Sequence, residues 1–162
     1  GGHCIPIDPN YLSWIARSVG YRFRFVELAQ EVSERMPAYV ARRVQDTLNQ
    51  LRKPLNGAHV VLAGVTYKAN VSDTRETPAR PLAAHLFDLG AEVSFVDPHV
   101  ESLIAGDREV PRISDIEEAA GSADIVVLLQ SHDEFLTPDA LAAADRILDT
   151  SGRLSGANVE RL

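Results

Sequence analysis

Short apolar runs alternate with helical segments over the last two thirds of the chain. The strand-like runs cover residues 59–64, 92–96, 108–113, 123–129 and 146–149. Runs rich in β-branched residues are typical of parallel strands buried on both faces. The intervening helices are predicted to be opened by Thr77-Pro78, Ser114 and Thr137-Pro138. This β-α-β repeat with short links predicts an α/β fold with a doubly wound parallel sheet, Rossmann-like in class.

Residues 21–51 carry one apolar stripe of helical period, which predicts a long helix ahead of the sheet. The stripe consists of Phe25, Leu28, Val32, Met36, Val40, Val44, Leu48 and Leu51. Pro37 lies in the middle, so a kink or break is expected near residues 34–36. A single stripe on so long a helix needs a surface to pack on. We therefore expect a homodimer formed through this helix, with packing entirely within one chain as the alternative.

The chain opens with Gly1-Gly2-His3-Cys4-Ile5-Pro6-Ile7-Asp8-Pro9. Asp8 and Pro9 are predicted to cap and begin a helix that ends near Gly20. Cys4 then lies just before a helix N-terminus, where backbone dipoles favour the thiolate. A nucleophilic cysteine and a small buried cysteine both fit this pattern.

Composition excludes several functional classes. The chain has 162 residues, with 16 Lys and Arg against 23 Asp and Glu, for a net charge of −7. An acidic domain without a basic cluster is a poor nucleic-acid binder. No apolar run has the length of a membrane span and no signal peptide is visible. One cysteine excludes an internal disulfide, so a cytoplasmic protein is expected, and no metal site is predicted.

The loop after the first strand reads Gly64-Val65-Thr66-Tyr67-Lys68 rather than G-x-G-x-x-G, so a dinucleotide is not expected on this sheet. Lys68 is suited to a phosphate at the point where the strand order reverses. The alternative for Lys68 and for Arg75 is a solvated surface charge. Asp97 ends the second strand and fits either a ribose-binding acid or a turn residue.

Two motifs and the helix between them resemble the UDP-glucose/GDP-mannose dehydrogenase family. The first is the opening nine residues with Tyr11-Leu12-Ser13-Trp14, and the second is residues 64–68 with Asp73-Thr74-Arg75-Glu76-Thr77-Pro78. The sequence around Cys4 and the sequence of residues 36–40 most resemble those of the bacterial branch that oxidises UDP-N-acetylhexosamines. The resemblance implies a catalytic-cysteine loop and central dimerisation helix over 1–55. It implies a C-terminal domain that binds the nucleotide sugar over 56–162.

The resemblance implies oxidation of the C6 alcohol of a UDP-sugar, of the UDP-N-acetylglucosamine or UDP-glucose type, to a uronic acid. Cys4 would capture the intermediate aldehyde as a thiohemiacetal, and loss of a second hydride would give a thioester, with Asp8 as the general base for its hydrolysis. The cofactor implied is NAD, bound mainly by an N-terminal domain that this chain lacks. The chain by itself is expected to be inactive.

The binding residues that the resemblance implies are few. Gly1, Tyr67 and Lys68 match contacts to the nucleotide sugar, and Arg75 matches a residue that reaches NAD. Two positions depart from the family pattern. Ile7 stands where many UDP-glucose members carry lysine, and Ser151 stands where an arginine is usual. Whether Arg153 takes over the role of that arginine stays open.

Three other functions compete with this one. A GDP-mannose 6-dehydrogenase differs in the base of its nucleotide, and a non-enzymatic nucleotide-binding or dimerisation module would share the same fold. A flavodoxin-like receiver needs an acidic cluster after the first strand, and residues 64–68 lack one.

Overall fold

A computed structural model describes residues 7–162. Two helices, α1 (Asp8–Ser18) and α2 (Arg24–Gln50), precede the sheet domain. The elements that follow are β1 (His59–Ala63), α3 (Ala79–Asp88), β2 (Glu92–Val96), β3 (Leu103–Ala105), β4 (Arg108–Val110), α4 (Ile116–Ser122), β5 (Ile125–Leu128), β6 (Ile147–Asp149) and β7 (Val159–Arg161). The expected α/β class, with a long helix followed by a parallel sheet, is confirmed.

Five parallel strands form the main sheet in the order β2-β1-β5-β6-β7. The chain passes from β1 to β2 on one side and then returns across β1 to reach β5. The strand order therefore reverses between β1 and β5, which is the switch point where doubly wound sheets bind ligands at their carboxyl ends.

Both faces of the sheet are covered, which explains the continuous apolar runs of β1 and β5. One core cluster joins the sheet to the C-terminal half of α2 and to α3. The second cluster joins the opposite face to α4 and to residues 135–144.

Helix α2 runs without interruption through Pro37, so of the kink or break expected near residues 34–36 the break does not occur. Its apolar stripe divides into two parts. Val40, Val44 and Leu48 are buried in the core. Toward the N-terminus the stripe is exposed, with Phe25 at 80% and Leu28 at 57%. The stripe thus serves the core over its second half only.

The buried half of α2 is also tied to the edge of the sheet. Arg43 forms an ion pair with Glu160 of β7, and Thr47 Oγ1 lies 2.8 Å from Glu160 Oε2. Burial alone would raise the pKa of Glu160, but the hydrogen bonds from Arg43 and Thr47 hold it below its usual value. These contacts fix the long helix against strand β7.

The helices predicted to be capped at Asp8, Thr77 and Ser114 are shifted by one residue. Their observed N-caps are Ile7, Pro78 and Asp115. Asp115 is a true side-chain cap, because its Oδ1 accepts a hydrogen bond from Glu118 N at 2.7 Å.

No helix follows Thr137-Pro138, so that prediction is wrong. A 3-10 turn at Asp133–Leu136 leads into successive turns in which the backbone N–H groups of Ala140, Ala142 and Ala144 each donate to a carbonyl three residues earlier. This segment still buries Ala140, Leu141 and Ala144 against the sheet. These three side chains are buried without the backbone hydrogen bonds to the fourth preceding residue that define an α-helix.

The segment predicted as one strand over 108–113 forms a short strand and a separate β-bridge. Residues 108–110 form β4 of an antiparallel hairpin with β3, which turns at Gly106 with φ of +66°. Arg112 then makes a parallel bridge to Phe95 at the outer edge of β2. The edge strand β7 was not predicted, because its three residues are one valine followed by two charged side chains and form no apolar run.

Candidate functional site

The loop after β1 contacts the loop after β5 at the switch point of the sheet. Gly64 has φ of +77°, and a Cβ at this position would lie 2.4 Å from the backbone oxygen of Gln130. The glycine therefore permits the close approach of two loops of this chain.

Asp97 ends β2 and is buried, with its carboxylate fully engaged by this chain. Oδ2 accepts from Val65 N at 2.7 Å and from His132 Nε2 at 3.1 Å, and Oδ1 accepts from His99 N at 2.8 Å. Burial by itself would raise the pKa of Asp97, but these donors hold it below its usual value. Asp97 therefore anchors the turn after β2 and the loop after β1.

His132 has a defined protonation state because of its partners. Its Nδ1 lies 2.8 Å from Asn70 N, a backbone donor, so Nδ1 must be an unprotonated acceptor. Nε2 therefore carries the proton and donates to Asp97 Oδ2, with Thr66 Oγ1 at 3.3 Å. The ring is completely buried and neutral, and it links three segments of the chain.

The backbone beneath Tyr67 and Lys68 is held from several directions. Thr66 Oγ1 donates to Lys68 O at 2.7 Å, and Gln130 Nε2 donates to Tyr67 O at 3.1 Å. Tyr67 N donates to Asp73 O at 3.1 Å. The Lys68 side chain is nevertheless exposed and that of Tyr67 is half-buried. A fixed backbone that presents an exposed ammonium beside an aromatic ring is suited to an anionic ligand.

Arg75 lies on the same loop and is also exposed, but Asp73 engages its guanidinium. Arg75 Nε is 3.0 Å from each carboxylate oxygen of Asp73, and this contact raises the pKa of Arg75. The ion pair fixes the direction of the arginine on the loop between β1 and α3.

Asp149 ends β6 and anchors the loop that follows it, a role that was not predicted from the sequence. Its carboxylate is buried and accepts from Ser151 Oγ at 2.7 Å and from three backbone N–H groups, those of Ser151, Gly152 and Leu154, at 2.7 to 2.9 Å. Burial would raise the pKa of Asp149, but these donors lower it. Ser151, which stands where the family arginine is usual, thus secures the loop after β6.

Arg153 follows on this loop and lines a separate cleft. The cleft has a volume of about 470 Å³ and lies between residues 135–142 and 153–159. Apolar side chains contribute to its walls, with Phe135, Leu141 and Leu154 among them.

The structure brings Tyr67, Lys68 and Arg75 together on one loop at the switch point. Asp8 is exposed in the first turn of α1, and residues 7–162 show no hydrogen bond between Asp8 and that loop. Gly1 and Cys4 lie outside the described residues. Over that described range, no three His, Cys, Asp or Glu side chains are placed to hold a metal ion. No helix within it is long and apolar enough to cross a membrane.

Comparison with known sequences decides the family. A model of the UDP-binding domain of the UDP-glucose/GDP-mannose dehydrogenase family matches residues 61–156, which is more than half of the chain and includes the whole switch-point loop. The chain belongs to this family. The resemblance carried by the two motifs is confirmed.

Individual relatives agree with this assignment. A UDP-N-acetyl-D-mannosamine dehydrogenase of Methanococcus maripaludis is 38% identical over 137 residues, which are 83% of this chain and 29% of the relative. An NDP-N-acetyl-D-galactosaminuronic acid dehydrogenase of Ralstonia nicotianae is 33% identical over 162 residues, covering 98% of this chain and 36% of the relative. The chain spans about a third of the length of the curated relatives it matches.

A solved structure agrees in fold. The crystal structure of NDP-N-acetyl-D-galactosaminuronic acid dehydrogenase from Methanosarcina mazei superposes with a TM-score of 0.83 at 23% identity. The superposition covers 100% of this chain and 37% of that one.

Proposed function

We propose that this chain is the nucleotide-sugar-binding part of an NAD-dependent UDP-sugar 6-dehydrogenase. The observation that carries the proposal is the loop over residues 66–70, which is rigid in its backbone and presents Lys68 at the switch point. The match to the family's UDP-binding domain includes this loop and supports a uridine nucleotide as its ligand.

Lys68 is proposed to bind the diphosphate of the nucleotide. The chain carries a net charge of −7, so binding an anion depends on a local cation rather than on the overall field. The Lys68 ammonium is exposed, and a phosphate can reach it without displacing a partner from a buried site. Tyr67 is proposed to line the same pocket with its ring.

NAD is proposed to bind outside the sheet of this chain. The loop after β1 has no G-x-G-x-x-G motif. When bound elsewhere in the enzyme, NAD would supply the hydride acceptor. Arg75 is proposed to contact it from this chain, since its paired guanidinium is exposed at the loop surface.

The proposed chemistry at the first residues of the chain involves Cys4 and Asp8. A cysteine thiolate can add to an aldehyde to form a thiohemiacetal, and loss of a hydride from this adduct would give a thioester. Water would then hydrolyse the thioester, which releases the acid and the free thiolate. Asp8 is exposed and able to accept a proton from water. Gly1 is proposed to contact the sugar through its backbone.

We expect the chain to bind UDP and to lose most of that affinity when Lys68 is replaced by alanine. A charge-assisted bond to phosphate supports a loss of about tenfold or more. Isothermal titration of the chain with UDP and with GDP measures this directly. Arg42→Ala is the matched control, because it removes one exposed positive charge on α2 away from the loop.

The control variant is expected to bind UDP as the unaltered chain does. Equal UDP affinity in the unaltered chain and in Lys68→Ala would contradict the assigned role of Lys68. Tighter binding of GDP than UDP would favour the GDP-mannose branch of the family.

We also propose a homodimer formed through α1 and the first half of α2. Large apolar side chains are exposed along both helices and the link between them: Tyr11, Leu12, Trp14, Ile15, Val19, Tyr21, Phe25, Leu28, Val32, Met36 and Tyr39. So many exposed apolar side chains in one part of a chain are typical of protein–protein interfaces rather than of monomers. The stripe on α2 continues from the core into this surface, so the same helix serves both.

The double variant Leu28→Glu, Val32→Glu is expected to halve the mass in solution, because two carboxylates per chain would be buried without partners. Sedimentation equilibrium of the double variant and of Gln45→Glu, an exposed change on the polar face of α2, gives the comparison. A dimer that persists in the double variant would place the interface elsewhere.

A further inference from the structure

One buried imidazole contacts polar groups at both ends of the loop over residues 66–70. His132 Nδ1 accepts from Asn70 N at one end of the loop. His132 Nε2 faces Thr66 Oγ1 at the other end, and this hydroxyl donates to Lys68 O. Because the hydroxyl proton is committed to Lys68 O, Thr66 Oγ1 meets the imidazole as an acceptor. The hydrogen bonds therefore run in one direction, from Asn70 N through the imidazole and Thr66 Oγ1 to Lys68 O.

The ring itself is fixed from its other sides. Asp97 Oδ2 accepts from Nε2, which anchors the imidazole to the end of β2. The rings of His99 and Phe135 lie against it, with centroid distances of 4.9 and 5.5 Å. Rotation of the imidazole would break these contacts in a site with no exposed surface.

Asn70 is the point at which this support matters most. Its φ is +61°, a left-handed conformation that costs free energy in a residue with a side chain. Two hydrogen bonds hold Asn70 in this conformation. Its backbone N–H donates to His132 Nδ1, and its side-chain Oδ1 accepts from Asp133 N at 3.1 Å. Both contacts come from the segment after β5, so that segment sets the conformation of the loop after β1.

We propose that His132 is the positioning residue of the nucleotide-binding loop. Its neutral imidazole holds Thr66 and Asn70 at fixed places, so that Lys68 is presented to the diphosphate in its bound conformation before the ligand arrives. The proposal rests on the proposed function of Lys68. Preorganisation of this kind raises affinity by removing the cost of ordering the loop on binding.

Two substitutions separate the two ring nitrogens. Asparagine places an oxygen near the position of Nδ1, so His132→Asn retains an acceptor for Asn70 N and loses the bond to Asp97. Glutamine places its amide near the position of Nε2, so His132→Gln retains a donor to Asp97 and loses the bond to Asn70. Both variants lose the aromatic ring, and each is therefore the control for the other.

Titration with UDP is expected to show about a tenfold loss of affinity in His132→Gln and a clearly smaller loss in His132→Asn. Amide hydrogen exchange at Asn70, measured without ligand, is expected to accelerate in His132→Gln and to stay slower in His132→Asn. Equal exchange at Asn70 in the two variants, or faster exchange in His132→Asn, would overturn the positioning role. This readout needs no nucleotide, so it tests the role of His132 even if UDP proves not to be the ligand.

Thr66 offers a second pair in case either histidine variant fails to fold. Thr66→Val removes the hydroxyl at nearly constant volume, and Thr66→Ser retains it. The valine variant is expected to speed exchange over residues 68–70 and to weaken UDP binding, and the serine variant is expected to restore both. Unchanged exchange in Thr66→Val would contradict the proposed hydrogen-bonded path.

Discussion

Gly64→Ala is expected to lower the free energy of unfolding by about 3 kcal/mol, the sum of a conformational cost and a steric one. The conformational cost arises because an alanine at φ of +77° lies in the left-handed region. The steric cost arises because the new methyl group would be 2.4 Å from the backbone oxygen of Gln130. A backbone atom cannot rotate away as the end of a side chain can, so β1 or β5 has to shift.

Gly57→Ala is the matched control for this experiment. Gly57 has φ of +80°, and a methyl group at this position would meet no atom within 4 Å, so the substitution carries the conformational cost alone. We expect Gly57→Ala to cost about 1 kcal/mol. Urea unfolding of both variants gives the difference, and equal losses would show that the loops after β1 and β5 do not press on each other at Gly64.

Asp149→Asn is expected to lower the free energy of unfolding at neutral pH by about 3 kcal/mol. The carboxylate of Asp149 is buried and accepts four hydrogen bonds at the end of β6. An amide has one acceptor oxygen, and its NH₂ group would face donors. The loop from Ser151 to Leu154 would therefore lose part of its anchorage.

The same substitution is expected to flatten the dependence of stability on pH in acid. The pKa of Asp149 is lower in the folded chain than its usual value of about 3.9. Such a group stabilises the fold above its unfolded pKa, and this contribution is lost as the pH falls through the folded pKa. Asp97, Asp124 and Glu160 have lowered pKa values as well, so the unaltered chain should destabilise steeply below about pH 4.

Urea unfolding at a series of pH values between neutral and strongly acid measures both effects. Asp107→Asn, at an exposed position in the hairpin turn between β3 and β4, should leave stability and its pH profile nearly unchanged. A pH profile for Asp149→Asn that runs parallel to that of the unaltered chain would contradict the role of the buried carboxylate.

The strands of the central sheet were predictable because their burial on both faces leaves a direct trace in the sequence. Residues 59–64 and 123–129 are continuous apolar runs, and they become β1 and β5 at the middle of the sheet. Strands β3 and β7 were not predicted, whereas β4 and β6, which are equally short, lie within the predicted strands 108–113 and 146–149.

The segment after Thr137-Pro138 shows where local propensity fails. Its alanines and leucine favour a helix, but the structure forms turns that bury Ala140, Leu141 and Ala144 directly on the sheet. Burial of a few side chains was enough to outweigh the intrinsic preference of the sequence. In α2 the opposite occurred, since the helix continues through Pro37, where a kink or a break was expected.

The candidate site was predictable in part. Lys68 and Tyr67 followed from a basic and an aromatic residue after a buried strand, together with the rule that ligands bind at the carboxyl ends of strands. His132 did not, because its role depends on contacts with Asp97 and Asn70, which are 35 and 62 residues distant in sequence. A lone histidine in a loop carries no local signal for such a network.

The crystal structure of the chain with bound UDP tests the central claim most directly. We predict that the diphosphate lies at the carboxyl ends of β1 and β5, with Lys68 Nζ within hydrogen-bonding distance, about 3 Å, of a phosphate oxygen. The loop over residues 66–70 should keep the conformation it has without ligand. UDP bound in the cleft beside Arg153, with Lys68 left in solvent, would contradict the account.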